Sequence, residues 1–262
     1  MYDFNYARPG SVAEAVALLG EEDSKALAGG QTFIPVLKQR LNRPSTVVDL
    51  TRLGLGGIAL SGGTLTIGAM ATHAEVTASA HAAAIPGLVQ LAGLIGDIQV
   101  RHRGTIGGSL ANNDPSACYP AAVLALGATI ATDRREIAAD DYFQGMFTTA
   151  LEAGEIIVSV SFPVPEKSAY AKFPNPASRY AMVGVFVAKG PAGVRVAVTG
   201  AGQGGVFRHA AAEAALMANW SPASLDGLAT ASGDLNGDIH GSAEYRAHLV
   251  GVMARRAVAA AG

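Results

Sequence analysis

Cysteine occurs once in the 262 residues, as Cys118. A single thiol cannot build a disulfide framework within the chain, and it cannot ligate an iron–sulfur cluster, which takes about four thiolates. Charge is also sparse: 15% of residues, with a net charge of -2. That is too low for a disordered, solvated chain, and the lack of a basic stripe argues against nucleic acid as a partner. No apolar run approaches the ~20 residues of a membrane-crossing helix. The opening MYDFNYARPGSV lacks a charged start followed by an apolar core, so no leader is read there and a cytoplasmic location is expected.

Half of the residues are hydrophobic and 32 are glycine. This suits one large domain or two smaller ones, with many turns or a site lined by backbone. SVAEAVALLG opens with a capping box, Ser11 with Glu14, and reads as a short helix; THAEV repeats the logic with Thr72 and Glu75. KALAGG and STVVDL read as strands, IALSGGTLTIGA as a hairpin turning at Gly62 and Gly63, and AAVLALGATI as a helix leading into a strand. EIIVSVSFPVP is a strand ending at its prolines. Residues 163–176 look like a linker or exposed excursion. Beyond them come a strand–turn–strand, a helix around FRHAAAEAALMAN, and helical segments around SPASLDGLATAS and AEYRAHLVGVMARRAVAAA. Strands, hairpins and helices in this mixture indicate α+β rather than regular βαβ winding.

Three features could carry chemistry. GAGQGG, residues 200–205, satisfies G-x-G-x-x-G between a strand and a helix, but lacks the acidic residue expected about twenty positions later, so a plain glycine loop is the stronger reading. The double glycines in AGGQT and TIGGSLANND are each followed by small polar residues. Backbone N–H groups without a Cβ in the way can approach an anion closely, and Gln31, Thr32, Ser109 and Asn113 could add side-chain bonds. A tight turn is the bland reading of each pair alone. Arg101, His102 and Arg103 could neutralise a diphosphate or form a solvated loop. His73, His81, His209, His240 and His248 show no metal spacing and read as surface or capping residues, and Cys118 as a small buried filler.

Taken together, ALAGGQTFIPVLKQRLNRPSTVVDL, IGAMATHAEV, IGDIQVRHRGTIGGSLANNDPSACYPAAVLALGATI and VTGAGQGGVFRHAAAEAAL resemble the medium, FAD-binding subunit of molybdenum hydroxylases, the group of carbon monoxide dehydrogenase flavoproteins and the central domain of xanthine dehydrogenase. The resemblance runs in order along almost the whole chain. It implies a two-subdomain FAD-binding fold of the vanillyl-alcohol-oxidase (PCMH) type over residues 1–165, divided near residue 55, and a smaller α+β C-terminal domain over 166–262. It also implies which residues meet noncovalent FAD. Leu27, Ala28, Gly29, Gly30, Gln31, Thr32, Phe33 and Ile34 form the first cofactor loop; Thr105, Ile106, Gly107, Gly108 and Ser109 form the second, followed by Asn113 and Asp114. Ile95, Ile157 and Tyr180 match positions beside the flavin ring, and Lys172 a lysine whose charge would favour the anionic reduced flavin. Many relatives carry Asp where this chain has Cys118; the contact made by that carboxylate is absent here or supplied by Asp114.

The resulting expectation is an FAD-binding electron-transfer subunit with no catalytic acid or base and no metal of its own. Its partners would be a large molybdopterin subunit and a small subunit with two [2Fe-2S] clusters, in a dimer of heterotrimers, with an external electron acceptor. The rivals are a stand-alone nucleotide-binding module and a self-contained flavin oxidase of the same superfamily.

Overall fold

Short amphipathic segments and tight glycine turns set the order of elements in the computed structural model, which describes residues 1–191 and 193–262. The chain begins with β1 (Asn5–Ala7), α1 (Val12–Leu19), β2 (Ser24–Leu27), α2 (Phe33–Lys38) and β3 (Thr46–Asp49). Ser11 accepts a hydrogen bond from Glu14 N–H and starts α1. The strands pair in parallel in the order β1-β3-β2, with Tyr6 opposite Val47 and Ala26 opposite Val48. This small unit is parallel βαβ winding, which the mixed pattern of the whole chain conceals. Its core joins Ala15, Val48 and Leu50 to Ile156 from much later in the sequence.

The next stretch holds β4 (Ile58–Ser61), β5 (Thr64–Gly68), α3 (His73–Ala78), α4 (Pro86–Gly93), α5 (Ile98–Arg101), α6 (Ile106–Asn112), α7 (Tyr119–Leu126), β6 (Thr129–Thr132), β7 (Glu136–Ala138), α8 (Ala139–Tyr142), β8 (Phe143–Gly145), β9 (Thr148–Thr149) and β10 (Ile157–Pro163). Gly62 and Gly63 have φ of +55° and +76°, the two left-handed positions of a type I′ hairpin between β4 and β5. An antiparallel sheet forms in the order β4-β5-β10-β6-β7. All eight residues of α7 are buried, as a helix apolar on every side must be.

The chain closes with β11 (Lys167–Pro174), β12 (Ala181–Gly190), β13 (Gly193–Thr199), β14 (Phe207–Arg208), α9 (Ala210–Ala218) and α10 (Ala243–Ala261). The four strands form an antiparallel meander covered on both faces. Tyr170 and Phe186 join the core under α4 and α7, while Val183, Val185 and Val187 face Leu249, Val250 and Met253 of α10. A Cβ on Gly87 would lie 2.9 Å from the Ala169 backbone, so α4 rests directly on β11.

The linker expected at residues 163–176 is therefore mostly strand. β11 pairs with β12 from Lys167 to Pro174, and Ser168, Ala169 and Tyr170 are buried. Burial on both faces removes the alternation that marks a strand in sequence. SPASLDGLATAS supplies only a 3₁₀ turn, Pro222–Leu225, and Gly227 follows with φ of +73°. The GAGQGG segment leaves an antiparallel strand and enters β14 before any helix. That rules out the parallel strand–turn–helix a dinucleotide fingerprint needs.

Candidate functional site

The two double-glycine segments meet in one wall. β2 ends at Leu27, and Ala28, Gly29, Gly30, Gln31 and Thr32 lead into α2. A Cβ on Gly29 would stand 2.0 Å from the Arg103 carbonyl oxygen and 2.9 Å from Gly104 Cα, so two backbones cross with no room for a side chain. Gly30 has φ of +72°, and the side chains of Ile34 and Leu27 close over it. The second pair opens α6, whose N-cap Thr105 accepts from Gly108 N–H at 3.1 Å. Gly107 lies on Ala69 and donates to its carbonyl at 2.9 Å, while a Cβ on Gly108 would sit 3.6 Å from Ala28 Cβ. Most of these glycines are thus required by backbone crossing and a left-handed turn, before any ligand is considered.

Backbone polar groups distinguish the two loops. In the second, the N–H groups of Ile106, Gly107, Gly108 and Ser109 all have acceptors, on Ala71, Ala69 and Thr105. In the first, the N–H groups of Gly30, Gln31, Thr32 and Phe33 have none among the described residues. Successive free amides form an anion-binding nest. The first loop therefore has amides available to an anion, while the second spends its own on neighbouring backbone and Thr105.

These loops border a cavity of about 950 Å³. Of the residues singled out from sequence, Ala28, Gly29, Gly30, Gln31, Thr32, Phe33, Ile95, Thr105, Gly107, Gly108, Ser109, Asp114, Ile157, Lys172 and Tyr180 line it. Leu27, Ile34, Ile106 and Asn113 do not. Leu27 and Ile34 pack around Gly30, and Ile106 is in the core. Asn113 caps α6 in a left-handed conformation, φ +41°, and its buried amide donates to the carbonyls of Gly145 and Thr148, each at 2.8 Å. It clamps the β8–β9 hairpin. Asp114 lines the cavity but turns one carboxylate oxygen to Ser116 N–H, 2.8 Å away.

At the far end, Lys172 Nζ donates to the carbonyls of Leu94 and Arg179 and lies 3.8 Å from Cys118 Sγ. Cys118 is buried and lines the cavity. Tyr180 accepts from Asn175 Nδ2 at 3.2 Å and meets the His240 ring edge-on. Arg101 does not face an anion: its guanidinium donates to the carbonyls of Ile95 and Gly96, fixing the loop between α4 and α5. His102 Nδ1 is 2.8 Å from the Ile98 carbonyl.

His73 and Glu155 are among the cavity residues that the sequence reading did not pick out. His73 follows the Thr72–Glu75 capping box, which predicts a helix start and nothing about burial; yet it is only 5% exposed and its pKa is pushed down to about 4, first by burial and then by Arg101. Surface and capping histidines were expected, and His209 does cap α9, but His73 lies in the cavity wall. Glu155 accepts two hydrogen bonds from Arg135 and others from Thr132 Oγ1 and Glu152 N–H; led by Arg135, these hold its pKa at about 2. It fixes the turn that delivers Ile156 and Ile157 to the cavity.

Residues 2–165 match the family described as the FAD binding domain in molybdopterin dehydrogenase. The chain belongs to this family. It is 38% identical to the carbon monoxide dehydrogenase medium chain of Afipia carboxidovorans, over 97% of this chain and 95% of the relative. It is also 38% identical to the nicotine 6-hydroxylase medium subunit of Paenarthrobacter nicotinovorans, over 98% and 96%. The solved structure of reconstituted carbon monoxide dehydrogenase from Oligotropha carboxidovorans superposes with a TM-score of 0.92 at 37% identity, covering 99% of this chain and 98% of that one. As a family member the chain is an FAD-binding medium subunit of the molybdenum hydroxylase type, an oxidoreductase component with the α+β fold of that group.

The site fits FAD on its own terms. Four free amides suit a diphosphate, and Ile95, Val100, Leu151 and Ile157 give apolar walls for a flat ring. Among the described residues no three His, Cys, Asp or Glu gather to hold a metal, and no helix is long and apolar enough to cross a membrane.

Proposed function

We propose that this chain is the electron-transfer flavoprotein of a three-subunit molybdenum hydroxylase. It takes electrons from [2Fe-2S] clusters of a small partner and passes them to an external acceptor, while a large molybdopterin subunit hydroxylates the substrate. The observation that carries this reading is the row of free amides at residues 30–33 beside a cavity with apolar walls, in a chain whose one cysteine cannot hold a cluster. Bound FAD supplies the ability to accept electrons singly and release them as a pair. The chain's own residues bind and orient. With FAD bound, the 30–33 amides would receive the diphosphate, Ile95 and Ile157 would wall the ring, and Lys172, held by two carbonyls, would supply a positive charge to offset the negative one that reduction adds. The residues named from sequence are assigned to FAD on this basis, with Asn113, Leu27, Ile34 and Ile106 acting through the shape of the loops.

The same reading assigns residues 1–165 to the FAD-binding domain, where the family match ends, and 166–262 to a C-terminal domain. It places the complex in the cytoplasm as a dimer of heterotrimers. Co-purification from native cells tests it. Two further polypeptides should co-elute, one with molybdopterin and one with two [2Fe-2S] clusters, and the flavin should be reduced by substrate only when all three are present. A lone FAD protein that turns over its own substrate would establish the flavin-oxidase alternative.

A further inference from the structure

His73 is a buried titratable side chain of the cavity wall that the assignment above leaves without a role. Its backbone N–H donates to the Gly104 carbonyl at 3.0 Å, and neighbouring Thr72 bridges to Thr105, so the ring is anchored to the entry of the second glycine loop. One face rests on Tyr119, with ring centroids 5.3 Å apart. Nδ1 is buried with no partner among the described residues. Nε2 points at the space a Gly104 side chain would fill, 2.5 Å from the position of that Cβ. Gly104 lines the cavity too, so Nε2 lies against a bare Cα of the wall, with no side chain on that residue and the Val100 carbonyl 3.2 Å from the same Cβ position.

The tautomer follows from burial. A buried N–H without an acceptor is worse than a buried lone pair without a donor. This favours the tautomer with Nδ1 bare and the proton on Nε2. Burial keeps the ring neutral, and Arg101 from α5 adds to the effect; Tyr119 faces it from α7, and Glu75 on its own helix is occupied by the Thr72 capping box.

We propose that His73 is a positioning residue of the cofactor site, donating a hydrogen bond from Nε2–H, beside the bare Cα of Gly104, to an acceptor oxygen of FAD. This rests on the FAD reading. It gives the second glycine loop, whose own amides are all occupied, a donor to the cofactor.

The test uses the full chain with histidine labelled in the ring with ¹⁵N, stripped of FAD and then reloaded. The Nε2–H tautomer should be present in both states, and the Nε2 resonance should move on FAD addition. His73→Phe, which keeps the volume, should bind FAD about ten-fold more weakly, and His73→Gln should recover part of the loss. An Nε2 resonance indifferent to FAD overturns the proposal, as does His73→Phe with wild-type affinity. If His73→Phe does not fold, the resonance decides alone. A wild-type chain that never takes up FAD refutes the cofactor reading and this proposal together; FAD uptake with a silent His73 refutes only the proposal.

Discussion

Replacing Gly29 by alanine puts a methyl carbon 2.0 Å from the Arg103 carbonyl oxygen, 2.7 Å from its carbon and 2.9 Å from Gly104 Cα. All three are backbone atoms, so no side chain can swing away. To regain the 3.4 Å of an ordinary contact, the two loops must part by about 1.4 Å, a strain on the order of 3 kcal/mol, at the upper end of overpacking. The displaced segment carries the free amides of residues 30–33, and misplacement by about 1 Å is enough to spoil a multidentate site. Gly29→Ala is expected to lower stability by about 2–3 kcal/mol and FAD affinity by at least about ten-fold. Gly204→Ala is the control: nothing lies within 4 Å of its Cβ position and its φ is not left-handed, so stability should be unchanged or rise by up to about 1 kcal/mol. Urea unfolding and titration of the apoprotein with FAD, followed by flavin fluorescence, read both quantities. Wild-type affinity and stability in Gly29→Ala would show that the glycine segments do not cross as described.

The remaining predictions concern the supports of the site. Asn113→Ala removes two buried hydrogen bonds to the β8–β9 hairpin and should lower stability by about 2–3 kcal/mol in urea melts, with hydrogen exchange faster in that hairpin first. Neutral His73 ties stability to pH. Its folded pKa, about 4 against 6.5 unfolded, makes the unfolded chain bind more protons in that window, so stability falls as pH drops from 6.5 to 4, by about 3 kcal/mol from this group; His73→Phe should remove that part of the slope. Glu155 acts in a lower window: its stabilisation is complete above the usual 4.5 and is lost as pH falls towards 2, and Glu155→Gln should flatten the acid limb of a melting-temperature profile. Lys172→Met strands two carbonyls and removes a positive charge; the flavin midpoint potential should fall, measured by dye-coupled titration.

Local signals were legible wherever one or two residues decide the geometry. The Thr72–Glu75 capping box, the Ser11 cap, the Gly62–Gly63 hairpin and the apolar run of α7 all read directly from sequence. The double glycines drew attention to one region, and fifteen of the nineteen residues chosen as candidates line one cavity there. What failed depended on partners far away in the chain. β11 has no clean alternation, because α4 covers one face and α10 the other. Asn113 sits beside the loop in sequence, but its amide is claimed by a hairpin more than thirty residues later. His73 is buried by Tyr119 and Gly104, neither of which is near it in sequence. Nor could the motifs show that one glycine loop has free amides and the other has none, since that depends on Ala69 and Ala71 coming to lie under α6.

The most direct measurement is the absorbance spectrum and cofactor content of the purified full-length chain. One FAD per chain, released intact by acid, with the amide signals of residues 30–33 shifting on reloading, is the predicted result. A chain that stays colourless when supplied with FAD, or one in which those four amides ignore it, contradicts the account.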